Sequence, residues 1–138
     1  MKYLLDVNML IQGIWQGHPG HVSAFAWLKG KNLSICPLVE LGYIRISTGV
    51  LGAPMPETRR LLQVFLTERK VSRIDDDLPA LESSPQKSSE VTDHYLAGLA
   101  QKHGLKLATF DTRISHHAVE VISLSICRRR GDESHFKF

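Results

Sequence analysis

The stretch VTDHYLAGLAQKHGLKLATFD, residues 91–111, decides the predicted fold because a helix, a turn and a buried strand follow one another in it. One side of the helix, predicted over residues 90–103, has four residues at helical spacing: Asp93, Leu96, Ala97 and Ala100. Ser89 suits its N-cap, and Gly104 suits the left-handed position that ends it. The apolar run at residues 106–110 is then a short strand that ends just before Asp111.

The same alternation of short strands and helices runs along the rest of the chain. Further strands are predicted at residues 2–5, 33–36, 71–74 and 119–124, and further helices at residues 7–15, 21–29, 38–47, 57–69 and, briefly, 75–81. Alternation of this kind is typical of a parallel sheet with helices on both faces. We therefore predict an α/β fold, a three-layer α/β/α sandwich around a short parallel sheet. We also predict that residues 1–126 form one domain and that residues 127–138 form a basic C-terminal tail containing Arg128, Arg129 and Arg130.

Composition narrows the class of protein. The chain has 138 residues, of which 43% are hydrophobic, and a formal net charge of +3. This is enough apolar material for one core, but no apolar run approaches the roughly 20 residues that span a bilayer. Asp6 and Asn8 interrupt the first apolar stretch, which argues against a signal peptide. Cys36 and Cys127 lack metal-site spacing and are predicted to be buried thiols, so we expect a cytoplasmic protein without membrane contact.

Four acidic residues are predicted to meet at one edge of the sheet: Asp6, Glu40, Asp93 and Asp111. Asp6 and Asp111 directly follow predicted strands, whereas Glu40 and Asp93 lie in the first turns of predicted helices. Ligands of parallel sheets bind outside the carboxyl ends of the strands. Carboxylates beside buried apolar runs are costly unless they are compensated, and oxygen ligands select Mg²⁺ and Mn²⁺. A hard-cation site is therefore predicted at this edge.

Each acid alone also has a purely structural explanation. Asp6 and Asp111 suit helix or turn caps, Asp93 suits the positive end of a helix, and Glu40 suits an exposed helix position. The run at residues 75–77 is three consecutive aspartates, which we interpret as a capped, solvated turn.

Three segments resemble the PIN-domain family, and within it the VapC toxins of bacterial toxin–antitoxin pairs. They are LLDVNMLI at residues 4–11, PLVELGYIRI at residues 37–46 and the stretch at residues 91–111. The resemblance extends over about residues 1–124. Its most specific parts are DVN at residues 6–8 and LATFD at residues 107–111, with the last two acids eighteen residues apart.

The resemblance implies an endoribonuclease that depends on Mg²⁺ or Mn²⁺ and whose acidic quartet is Asp6, Glu40, Asp93 and Asp111. We assign Asp6 and Asp93 as direct ligands, and Glu40 and Asp111 as acting through bound water or a second ion, with Glu40 as the base. Asn8 and Thr109 match supporting polar positions that orient the carboxylates.

Thr112 and Arg113 follow Asp111, where the family sometimes has a fifth acid, which puts a second ion in doubt. Arg45 and Arg113 are candidate RNA contacts.

The resemblance also implies partners: an RNA substrate, a VapB-type antitoxin that lies over the active-site groove, and a second copy in a homodimer. Other functions stay open at this point. A haloacid-dehalogenase-type phosphatase would need an Asp where the chain has Asn8. A PIN fold that only binds RNA or protein, and a PIN nuclease of RNA maturation, are the nearer alternatives.

Overall fold

A five-stranded parallel sheet organises the fold in the computed structural model, which describes residues 1–114 and 116–122. The strands are β1 (Lys2–Leu5), β2 (Asn32–Ile35), β3 (Ser72–Arg73), β4 (Lys106–Thr109) and β5 (Val119–Val121). Their order across the sheet is β3-β2-β1-β4-β5. Leu4 of β1 is in register with Ser34 on one side and with Leu107 on the other. The predicted tail, with Cys127, and the end of the last predicted strand lie outside the described residues.

In the described residues, five α-helices flank the sheet: α1 (Val7–Ile14), α2 (His21–Leu28), α3 (Pro37–Arg45), α4 (Met55–Glu68) and α5 (Val91–Lys102). A π-helical turn at Ile46–Val50 extends α3, and 3-10 turns lie at Ala80–Glu82 and Ser88–Glu90. The predicted α/β class and parallel sheet are confirmed. Among the helices of the described residues, none combines the length and the apolar composition that crossing a membrane requires.

The central strands form the centre of the core. Leu4 and Leu5 of β1 and Leu107 and Ala108 of β4 are fully buried, as expected for strands that are covered on both faces. The N–H of Asp6 donates to the carbonyl oxygen of Ala108 at 3.3 Å, so pairing continues to the last residue before α1. The ends of β1 and β4 therefore lie side by side at the carboxyl edge of the sheet.

Two local predictions were wrong. Residues 75–79 form no helix, because Pro79 disfavours a helical Leu78 and because two aspartates of this segment are held by other elements. Asp76 accepts a hydrogen bond from the N–H of Leu38 at 3.0 Å, and Asp77 pairs with His103 at 2.8 Å. Ser89 does not cap α5 either: it lies inside the 3-10 turn that precedes Val91.

Helices α1 and α3 approach closely at Gly42. A Cβ atom at this position would lie 2.7 Å from Cγ2 of Val7. We expect Gly42→Ala to lower the free energy of unfolding by about 1 to 2 kcal/mol, since the strain exceeds the gain in helix propensity. Combining it with Val7→Ala should restore part of the loss by removing the clash. Gly49→Ala is the control, because a Cβ there meets no atom within 4 Å. Urea unfolding measures all four proteins, and equal stability of the two single glycine variants would contradict the close approach.

Candidate active site

Asp6 is a buried carboxylate at the carboxyl end of β1. Its side chain is only 4% exposed, and its Oδ1 accepts a hydrogen bond from the N–H of Met9 at 2.7 Å, which caps α1. The pKa of Asp6 is raised to about 6: burial is the largest cause, the nearby carboxylates of Asp93 and Asp111 add to the rise, and hydrogen bonds from Thr109 and Met9 oppose it. Within the described residues, no basic side chain forms an ion pair with Asp6.

Thr109 connects two of the acids. It is fully buried at the last position of β4, and its hydroxyl hydrogen-bonds to the Asp6 carboxylate. The same hydroxyl oxygen accepts a hydrogen bond from the N–H of Asp111 at 3.0 Å. Because Thr109 is held by the sheet, this pair of contacts fixes the Asp6 carboxylate relative to the turn after β4.

Asp93 lies on the half-buried first turn of α5, on the side predicted from its spacing. Leu96, Ala97 and Ala100 on this side are buried, so the carboxylate has an apolar surround. Burial raises the pKa of Asp93, and the negative charge of Asp111 adds to the shift. The structure therefore brings Asp6, Asp93 and Asp111 into electrostatic contact.

Asp111 is held by an arginine two residues later. Nε of Arg113 donates to Oδ1 at 3.0 Å, Nη2 donates to Oδ2 at 2.9 Å, and the Arg113 N–H donates to Oδ1 at 2.9 Å. These contacts lower the pKa of Asp111. Arg113, predicted from the sequence as an RNA contact, is thus paired with a site carboxylate.

We expect Arg113→Gln to raise the pKa of Asp111, since the charged fork that favours the carboxylate is lost. The pKa of Asp93 should rise as well, because the Arg113 charge also lowers it. Carbon-13 NMR titration of the aspartate carboxyl groups, in chelator, measures both values. Unchanged titration of Asp111 would contradict the pairing.

Glu40 stands apart from the other three acids. Its carboxylate accepts two hydrogen bonds from Arg73, at 2.8 Å from Nε and 3.0 Å from Nη2, and its side chain is 16% exposed. Neither Asp6 nor Asp93 has Glu40 among the charges that shift its pKa. The structure therefore places Glu40 near the carboxyl edge, in the first turn of α3, but turned toward Arg73.

Two other predicted positions, Asn8 and Arg45, have few contacts, and a third position, Arg73, was not predicted. Asn8 is exposed and makes no side-chain hydrogen bond with any other residue that the structure describes. Arg45 is exposed and forms no ion pair within residues 1–114 and 116–122. Arg73 was missed, although it ends β3 just as Asp6 follows β1. Applying the rule about strand ends to basic residues would have found it.

The carboxylate oxygens of the site are of the kind that a hard cation prefers, but among the described residues the structure does not group three of them around one point. In the described part of the chain, no three carboxylate, imidazole or thiolate groups are placed to hold one ion together. Mg²⁺, however, needs only one or two direct carboxylates and keeps several waters. Asp6 and Asp93 meet this requirement, because both are desolvated acids in mutual repulsion that a cation would relieve.

Comparison with known proteins assigns the fold family. The family model of the PIN domain matches residues 3–120. The chain belongs to the PIN-domain family. Ribonuclease VapC38 of Mycobacterium tuberculosis is 33% identical over 126 residues, which cover 80% of this chain and 86% of the relative. Ribonuclease VapC39 of the same species is 29% identical over 131 residues, or 86% and 94% of the two chains. The predicted resemblance to VapC-type PIN domains is confirmed.

Solved structures agree with this PIN fold. A VapBC2 structure from Rickettsia felis, bound to a promoter DNA fragment, superposes with a TM-score of 0.59 and 18% identity, covering 89% of this chain and all of that one. A toxin–antitoxin complex from Klebsiella pneumoniae gives a TM-score of 0.58 and 16% identity, covering 88% of this PIN domain and 98% of that chain.

Proposed function

We propose that this PIN-domain protein is an endoribonuclease that requires Mg²⁺ or Mn²⁺ and acts as the toxin of a toxin–antitoxin pair in the cytoplasm. The observation that supports it most is Asp6: a buried carboxylate, without a basic partner in the described residues, that faces Asp93 and Asp111. Such a group is costly to bury and has no structural benefit beyond one helix cap. Relatives named VapC ribonucleases support the choice of RNA as substrate.

Each acid has a distinct part in the proposed reaction. A divalent cation would supply an activated water and would neutralise charge on the phosphate. Asp6 and Asp93 would hold the cation, and Thr109 and the Met9 N–H keep the Asp6 carboxylate in one orientation. Asp111 orients water at the same site.

Glu40 must leave Arg73 before it can act as the base. The Arg73 side chain of this ion pair is 60% exposed, so an anion from solution can reach the guanidinium and compete with Glu40 for it. Once free, the Glu40 carboxylate accepts the proton of the attacking water, and the leaving oxygen of the RNA is protonated from solvent.

A VapB-type antitoxin and a second copy of the chain are the proposed protein partners. Two structural neighbours are toxin–antitoxin assemblies, which supports the first. Co-expression with the product of an adjacent small open reading frame should yield a complex that does not cleave RNA. Light scattering on the free protein should give the mass of a dimer.

The test of the proposed function is cleavage of a mixed RNA pool by purified protein that is free of antitoxin. We expect cleavage in Mg²⁺ and in Mn²⁺ and none in EDTA. Folded protein that cuts no RNA with either metal would overturn the proposal and would favour a PIN fold that only binds RNA or protein. Cleavage that persists in EDTA would exclude the role given to the cation.

A further inference from the structure

A groove of about 650 Å³ opens between α3 and α4. Its floor is apolar, formed by Ile44 of α3 and by Leu62 and Leu66 of α4. Glu40, one of the predicted site acids, lines the same groove. Whatever occupies the groove therefore lies next to the residue proposed as the base.

The rim of the groove is basic. Three arginines line it: Arg59, Arg60 and Arg73. Arg60 is paired with Glu57 at 2.7 Å and Arg73 with Glu40 at 2.8 Å. Arg59 is exposed and has no ion-pair partner in the part of the chain that the structure describes. The rim thus has one uncompensated positive charge and two others in exposed pairs that a stronger anion can displace.

We propose that this groove binds the phosphodiester backbone of single-stranded RNA beside the bond that is cut, with Arg59 and Arg73 as its phosphate contacts. The inference rests on the proposed function, because it assigns a path to the substrate of that site. A guanidinium fork matches the two oxygens of a phosphate, and neutralising phosphates dominates the affinity of proteins for nucleic acids.

The floor of the groove favours a single strand over a duplex. Exposed base faces and riboses of a single strand can cover the apolar side chains of Ile44, Leu62 and Leu66, whereas a duplex keeps its bases stacked inside. Binding by Arg73 also has a consequence for Glu40. A phosphate that takes the Arg73 guanidinium releases the Glu40 carboxylate, so arrival of substrate and release of the base occur together.

Arg59→Gln tests the proposal most cleanly, because Arg59 is not one of the proposed catalytic groups and has no ion pair to lose. Binding of a fluorescently labelled single-stranded RNA of mixed sequence is measured by anisotropy in EDTA, at several salt concentrations. Lys2→Gln is the matched control: it removes one positive charge from an exposed position at the opposite, amino edge of the sheet.

We expect Arg59→Gln to weaken RNA binding about five- to tenfold and to lower the slope of log affinity against log salt by about 0.7, which corresponds to one phosphate contact. Arg59→Lys should regain part of the affinity, and Lys2→Gln should bind as wild type does. Equal affinity and equal slope for Arg59→Gln and wild type would overturn the proposal and would favour a protein partner as the occupant of the groove. Wild type without measurable affinity would overturn it too.

Cleavage assays on the same proteins separate this inference from the proposed function. If wild type binds RNA through Arg59 but cuts no RNA in Mg²⁺ or Mn²⁺, the proposed nuclease activity is refuted and the proposed RNA-binding groove is supported. If wild type cuts RNA and Arg59→Gln binds and cuts RNA equally well, only the proposed binding of RNA in the groove is refuted.

Discussion

Replacing Asp6 with Asn is expected to lower the rate of RNA cleavage on the order of a thousandfold, which corresponds to about 4 kcal/mol of transition-state stabilisation. The substitution keeps the shape of the side chain and removes the negative charge that holds the cation. Asn caps helices as well as Asp does, so the hydrogen bond from the Met9 N–H and the start of α1 should persist. The loss should therefore come from the chemistry of the site and not from unfolding.

Asp75→Asn is the control for this loss. Asp75 is exposed and, within the residues that the structure describes, its side chain makes no hydrogen bond or ion pair with the site acids, so the same chemical change there should keep the cleavage rate within about twofold of wild type. Rates are measured in single-turnover conditions with excess enzyme, at fixed Mg²⁺. An Asp6→Asn protein that cuts as fast as Asp75→Asn would remove Asp6 from the site.

The same Asp6→Asn substitution is expected to stabilise the protein in chelator, by about 1 to 3 kcal/mol at neutral pH. The pKa of Asp6 lies at about 6 in the folded protein, above its ordinary 3.8, because burial disfavours the charged form. An acid with a raised pKa binds its proton more tightly when folded. Ionised Asp6 therefore destabilises the fold above pH 6, and this cost disappears as the pH falls toward 4.

Thermal unfolding in EDTA at several pH values measures this effect. The melting temperature of Asp6→Asn should exceed that of wild type by several degrees at pH 7.5, and the difference should close as the pH falls from about 6 to about 4. A lower melting temperature for the variant at pH 7.5 would mean that Asp6 is a structural acid with a partner it needs. Equal stability at every pH would contradict the burial of its charge.

The sequence predicts those elements whose signals are local. Helical spacing predicts α5, and a short apolar run predicts β4. The glycine between them predicts the turn, and Gly104 indeed has a φ of 69°. The positions of Asp6 and Asp111 follow from the ends of β1 and β4, since parallel strands end at one edge, and the position of Asp93 follows from the first turn of α5.

Contacts between distant segments were harder to predict. Glu40 and Arg73 are 33 residues apart, and their pairing depends on β2 and β3 being neighbours, which no local pattern encodes. The segment at residues 75–79 has an acidic run that resembles a helix start, but its conformation is set by Leu38 and His103 from other elements. Tertiary contacts override local propensity at both places.

The most direct test of the account is the single-turnover cleavage of one RNA by wild type and by Asp93→Asn, side by side, at fixed Mg²⁺. Asp93 projects from α5, whereas Asp6 follows β1, so the variant tests whether separate elements build one site. We predict cleavage by wild type, and loss on the order of a thousandfold in the variant with its fold intact. Cleavage by Asp93→Asn at the rate of wild type would contradict the assignment of the site.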